Sequence, residues 1–166
     1  HKNIVHYCQR PFADIEQMNF VLEENWNAAV GLHDTVYCLG DFAFLSATYQ
    51  LDGMNLFKRL HGRKHLVKGN HDRGLVLTLG WDKIHLEPVL LDGVVLTHHG
   101  DDYMRVNQSA VTTPVFCAHV HEIWKQRANL LNVGVDVWHF RPVPFETAQE
   151  YWWHRFAYWQ AHGRDA

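Results

Sequence analysis

The hydrophobic positions of this chain change period several times along its length, and each change marks an element. From Asp14 to Val30 the apolar residues Ile15, Met18, Val21, Leu22, Trp26, Ala29 and Val30 recur near every 3.6 positions, and Asp14 and Gln17 stand at the spacing of a capping box. The pattern predicts an amphipathic helix. Thr35–Leu39 is a short β-rich run without alternation, the pattern of a strand buried on both faces, and it ends at Gly40-Asp41. A second helix is predicted from about Asp52 to His61, stopped by Gly62, and a second short strand over Lys64–Lys68 delivers Gly69-Asn70-His71-Asp72. Val89–Leu91 and Val94–Leu96, joined by Asp92-Gly93, carry the strongest short hairpin signal, and the second arm runs out into Thr97-His98-His99-Gly100. Val115–Ala118 predicts a strand leading into His119-Val120-His121, with later strands over Ile123–Lys125 and Leu130–Val135. Thr147–His162 predicts a closing helix, and the Trp and Tyr residues within Tyr151–Trp159 recur at helical spacing, as core or dimer-contact residues do.

These short strands and helices predict an α/β fold, and 166 residues with 47% hydrophobic content fit a single domain over 1–166. Asp41, Asn70-His71-Asp72, His98-His99 and His119-x-His121 each follow a predicted strand. Ligand sites in such sheets gather beyond the carboxyl ends of strands, so the clusters are expected to converge on one point.

Composition narrows what that point does. The net charge of -3 and the scattered basic residues lack the footprint of a dedicated nucleic-acid binder, which leaves a nucleic-acid substrate open. Cys8, Cys38 and Cys117 are odd in number and lack C-x-x-C spacing, which argues against a disulfide framework and a thiolate zinc site, and for a reducing cytoplasm. No apolar run reaches the roughly 18 residues that span a bilayer. Histidine is abundant, with 14 copies, but His1, His6, His33, His61, His65, His85, His139, His154 and His162 follow no ordered pattern and read as surface or structural residues.

One carboxylate, one amide oxygen and several imidazoles form a mixed hard and borderline donor set, suited to Mn, Fe, Zn or Ni rather than to Ca or Mg alone. His119 and His121 are two apart, so both bind only where the backbone turns, and there each can face a different ion. A carboxylate such as Asp41 can bridge two cations about 3.5–4 Å apart, the separation at which a pair holds a hydroxide and clamps both ends of a phosphoryl displacement. His71 then stays free of metal and available as an acid.

Gly40-Asp41, Gly69-Asn70-His71-Asp72, the strand-end His98 and His119-x-His121, in that order, resemble the calcineurin-like metallophosphoesterase superfamily, whose ordered motifs are D-x-H, G-D, G-N-H-D/E, H and G-H-x-H. His1-Lys2-Asn3-Ile4, Arg10-Pro11-Phe12 and Asn132–Asp136 are similar to a small bacterial and phage branch of it. The resemblance spans nearly the whole chain. It implies a four-layer α/β sandwich, two mixed sheets flanked by helices, that hydrolyses phosphomonoesters or phosphodiesters with a hydroxide activated by two divalent transition-metal ions, manganese foremost, with iron, zinc or nickel as alternatives. Asp41 is then the bridging ligand, Asn70, His98 and His119 complete one ion, and His121 belongs to the other. His71 is the general acid or transition-state donor, oriented by Asp72. Of His98 and His99 one ligates, and His98 is chosen because it ends the strand.

Two departures stand out. Ala118 replaces the Gly before the H-x-H pair, and the D-x-H of the first strand is absent, as though the chain begins at the last His of that segment. His121's ion is then expected to lack two protein ligands and the sheet a central strand. Two rivals follow, a non-catalytic metal- or ligand-binding module of the same fold, and a metal-dependent amidohydrolase, whose H-x-H belongs to a first strand rather than to the last third of the chain. The substrate remains open among a nucleotide, a nucleic acid, a phosphoprotein and a small phosphodiester.

Overall fold

A computed structural model describes residues 3–107 and 112–162. His1 and Lys2 of the opening segment, and with them the resemblance drawn from that end, lie outside the described residues. The helices and strands run in the order α1 (Ile4–Tyr7), α2 (Ile15–Ala29), β1 (Thr35–Cys38), α3 (Gln50–Arg59), β2 (Arg63–Val67), β3 (Lys83–His85), β4 (Val89–Leu91), β5 (Val94–Leu96), α4 (Gly100–Val106), β6 (Val115–Cys117), β7 (Gln126–Arg127), β8 (Leu130–Asn132) and α5 (Phe145–His162).

Helix α2 starts where its sequence says it should. The Asp14 carboxylate accepts the Gln17 amide at 2.7 Å, and the Gln17 side chain accepts the Ala13 amide at 2.6 Å. Its inner face carries Met18, fully buried, with Ile15, Val21, Leu22 and Trp26 half-buried, whereas Ala29 is exposed. The Trp26 indole donates to the His61 carbonyl at 3.0 Å, tying the helix to the chain that enters β2.

Strands β1, β2 and β3 form a parallel sheet in that order, and a second sheet runs β4-β5-β6-β8-β7. In the second sheet β5, β6 and β8 are parallel, and antiparallel β4 and β7 close its edges. Among the described residues only the second sheet is mixed, so the expectation of two mixed sheets is corrected for the first. Strand β1 also departs from expectation. Thr35 is exposed and Val36, Tyr37 and Cys38 are half-buried, because β1 lies at a sheet edge and pairs only with β2 among the described residues. An apolar run without alternation suits a half-covered edge as well as a covered centre.

The second sheet buries both faces. On one, Val94, Leu96, Phe116 and Leu131 meet Ala148, Trp152 and Phe156 of α5 together with Leu39 and Val67 from the ends of the first sheet. The aromatic positions of the closing helix divide accordingly: Trp152 is core, and its indole donates to the Asn129 carbonyl at 2.8 Å, while Trp153 is exposed. On the other face Val95, Val115, Cys117 and Leu130 pack with Tyr103 and Met104 of α4 and with Trp124.

The expected strand at Ile123–Lys125 does not form. The buried Asn132 amide captures the carbonyls of His121 at 2.6 Å and Trp124 at 2.8 Å, which holds this stretch as a turn with Ile123 76% exposed, and the pairing starts at Gln126. The same residue shortens β8, because its Oδ1 accepts the Gly134 amide at 2.9 Å and turns the chain away. Among the described residues, no helix is long and apolar enough to cross a membrane.

Candidate metal centre

Parallel pairing of β1 with β2, in a register that sets Cys38 opposite Leu66, carries Gly40-Asp41 and Gly69-Asn70 to the same end of the sheet. The two loops then touch through their glycines. A Cβ on Gly40 would lie 2.6 Å from His98 Nδ1 and 2.7 Å from the Gly69 Cα, and one on Gly69 would lie 2.7 Å from the Asp41 amide nitrogen and closer still to its carboxylate. Gly40 has φ +90° and Asp41 φ +54°, so the turn holds a non-glycine residue in the left-handed region, a strain that concentrates at functional sites.

Asp72 clips these loops together. Fully buried, it accepts the amides of Asp41 at 2.7 Å and Gly69 at 2.9 Å on Oδ2 and that of Phe42 at 3.0 Å on Oδ1. Both of its oxygens serve the backbone, a role beside the orienting of His71 that the resemblance implies. The His71 amide donates to Asp41 Oδ1 at 2.8 Å, and its ring lies against Phe44 with centroids 4.8 Å apart.

His98, at the end of β5, enters from the second sheet. Its Nδ1 lies 2.7 Å from the Leu39 carbonyl, an acceptor only, so that nitrogen carries the proton and Nε2 is the one turned to the loops. Nε2 stands 3.0 Å from Asn70 Oδ1, 3.3 Å from Asp41 Oδ2 and 3.2 Å from His119 Nδ1. His119 and His121 take φ values of +62° and +48° on either side of Val120, whose amide returns to the Ala118 carbonyl at 2.6 Å. The strand has ended there and the two imidazoles diverge. His119 joins His98, whereas His121, 40% exposed, sets Nδ1 3.4 Å from Asp136 Oδ2. Asp136 in turn accepts both Arg10 Nε at 2.7 Å and Arg10 Nη2 at 2.8 Å.

Electrostatics follow the geometry. Burial pushes the Asp41 carboxyl up, but the His98 imidazole, the His71 amide and nearby positive charge outweigh it and hold the group below the usual carboxylate range. Burial pulls His98 down, yet Asp41 and the Leu39 carbonyl raise it on balance. His119 is lowered by burial and by its neighbours His99 and His98, and His99 by burial and His98.

The structure thus gathers Asp41, Asn70, His98 and His119 and leaves His121 apart, engaged with Asp136. The gathered atoms are electron-rich: a carboxylate oxygen, an amide oxygen and an imidazole nitrogen 3.0–3.3 Å from His98 Nε2, a donor set whose chemistry suits a divalent cation. Near His121, Cys8, Glu122 and Asp136 bring donor atoms together, with Arg10 engaging both oxygens of Asp136 and burial, with Glu122, pushing the Cys8 thiol up to about 12. Sequence reasoning missed three residues. His99 was the histidine set aside, and it stands with its ring 4.1 Å from that of His119. Arg10 and Asp136 lie in segments that carried the resemblance, but at a separation of 126 residues no local signal pairs them.

No protein-family model matches this chain. A stretch of 73 residues is 42% identical to Uncharacterized protein MJ1445 of Methanocaldococcus jannaschii, covering 44% of this chain and 41% of that protein. The Gene 66 protein of Mycobacterium phage L5 is 37% identical over 59 residues, 36% of this chain and 28% of the phage protein. The chain therefore spans less than half the length of these relatives. The crystal structure of the protein of unknown function AQ665 from Aquifex aeolicus is similar with a TM-score of 0.69 over 90% of this chain and 91% of that one, at 20% identity, a likeness of fold.

Proposed function

We propose that this chain is a metal-dependent phosphoesterase of the calcineurin-like type, its two sheets and flanking helices forming the four-layer sandwich of that superfamily. The observation that carries the reading is the meeting of Asp41, Asn70, His98 and His119 from four separate strand ends, with the Leu39 carbonyl fixing which nitrogen His98 presents. These four residues hold one divalent ion. Bound there, the ion would polarise a phosphoryl oxygen and lower the pKa of a water. Asp41 orients its carboxylate through the His71 amide, and Asp72 fixes the loop geometry on which this depends. His71, adjoining Asp41, is placed to give a proton to the leaving oxygen. The substrate is a phosphomonoester or phosphodiester, a nucleotide or nucleic acid among them, and the free thiols Cys8, Cys38 and Cys117 suit a reducing cytoplasm.

Because His121 faces Asp136 rather than Asp41, a second reading is specific enough to test: a one-ion binding module without turnover. The deciding experiment loads the chain with Mn, Zn or Ni, removes excess ion, and assays a panel of phosphomonoesters and phosphodiesters that includes bis-p-nitrophenyl phosphate. Ion-dependent hydrolysis abolished by His98→Ala supports the phosphoesterase. An ion retained with no hydrolysis of any ester supports the binding module.

A further inference from the structure

His99 follows the strand-end ligand His98 and is half-buried beside it. Its ring is edge-on to His98 with centroids 4.5 Å apart and tilted against His119 with centroids 4.1 Å apart. One nitrogen from each of His98, His99 and His119 lies within 4.8 Å of the other two. Imidazole–metal bonds of about 2.0–2.1 Å put donors on opposite sides of an ion about 4 Å apart, so a small side-chain rotation closes these three nitrogens on one cation.

Two features hold His99 there. Gly100 runs so close to β6 that a Cβ at that position would lie 2.8 Å from Cys117 Sγ and 3.1 Å from its Cβ, which pins the backbone of residue 99 beside the strand that delivers His119. The Asp102 carboxylate stands 3.9 Å from His99 Nδ1, on the first turn of α4, a charged neighbour on that side of the ring. The ring also lines a cavity of about 250 Å³ with His119, Asp101 and Trp124, so solvent and ions reach it.

We infer that His99 is a third imidazole ligand of the ion held by His98 and His119, and that it shifts this centre toward zinc, cobalt or nickel and away from manganese and magnesium. The inference rests on the proposed centre at His98 and His119 and adds to it both a ligand and a metal preference. Nitrogen donors raise affinity for borderline cations more than for hard ones, and with His99 they outnumber the two oxygens of Asp41 and Asn70.

Competition against a chromophoric chelator, with Zn²⁺ and Mn²⁺ measured separately, tests this on the whole chain and on His99→Ala, with His98→Ala alongside. Absorption of the Co²⁺-loaded proteins gives a readout independent of hydrolysis. The expected result is a loss of about 10- to 100-fold in Zn²⁺ affinity for His99→Ala, Mn²⁺ affinity within about threefold of the parent chain, and a weakened, shifted Co²⁺ visible band. Zn²⁺ affinity and a Co²⁺ spectrum unchanged in His99→Ala, with binding lost in His98→Ala, would overturn the inference while leaving the proposed centre standing. Binding retained in His98→Ala would overturn both. Circular dichroism checks each variant, and if His99→Ala fails to fold, His99→Asn takes its place in the same comparison.

Discussion

Replacing Asp72 with alanine separates a loop clip from a residue that orients a catalytic histidine. In the folded chain its carboxylate accepts the buried Gly69 amide at 2.9 Å and the partly buried amides of Asp41 and Phe42 at 2.7 and 3.0 Å. Asp72→Ala leaves all three donors without that acceptor, the Gly69 amide in a place closed to solvent and the other two partly open to it. Stranding a buried donor costs about 1–3 kcal/mol, toward the upper end where the lost acceptor was charged, and the two partly buried amides recover some of the loss from water. The sum is about 4 kcal/mol, a large fraction of the roughly 5–15 kcal/mol by which domains are stable. With a urea slope of about 2 kcal/mol/M, the midpoint should fall by about 2 M in an equilibrium urea titration followed by tryptophan fluorescence. Ion binding should weaken in the same variant, because the Asp41 and Gly69 loops are no longer held together. A midpoint shift below about 0.5 M with turnover lost would refute this reasoning and restore Asp72 to the role of orienting His71.

Three further outcomes are expected. His71→Asn should lose about 10²-fold in ester hydrolysis while retaining its ion, measured by steady-state rates and metal analysis; ion loss would make His71 a ligand instead. Ion affinity should depend on pH with a definite sign: Asp41 and the Leu39 carbonyl raise His98 above its ordinary value of 6.5, and an ion must displace the Nε2 proton, so affinity is full above the raised value and falls about tenfold per unit as pH drops through it. Calorimetric titrations across pH 5–8 check this, and an affinity flat through that range would contradict it. Arg10→Ala leaves the buried Asp136 carboxylate, whose side chain is 5% exposed, to the His121 imidazole and should cost up to about 3–5 kcal/mol in urea denaturation without loss of the ion at His98, whereas a change below about 1 kcal/mol would show the pair to be dispensable.

What the sequence made legible was what depends on local spacing. The Asp14–Gln17 cap, the Asp92-Gly93 hairpin and the strand ends carrying Asp41, Asn70, His98 and His119 are all short-range patterns, and the fold places them as that spacing requires. Burial of β1 is not legible, because a run such as Val36-Tyr37-Cys38 looks alike at an edge and at a centre. The absence of a strand at Ile123–Lys125 is not legible either, because the residue that prevents it, Asn132, acts on carbonyls 8 and 11 positions away. The three backbone amides on Asp72 are also not legible, since a carboxylate beside a histidine has the same residue signature whether it serves the ring or the backbone. The bond from His121 through Asp136 to Arg10 joins the two ends of the chain, and no periodicity reports it.

The most direct test of the central claim is an anomalous difference map from crystals of this chain grown with Zn²⁺ and recorded at the zinc edge. The account expects one strong peak bonded, at about 2.0–2.2 Å, to Asp41 Oδ2, Asn70 Oδ1, His98 Nε2 and His119 Nδ1, with a nitrogen of His99 joining them if that residue is the third imidazole ligand. A map with no peak among these residues, or with its strongest peak at Cys8, Glu122 and Asp136, would contradict it.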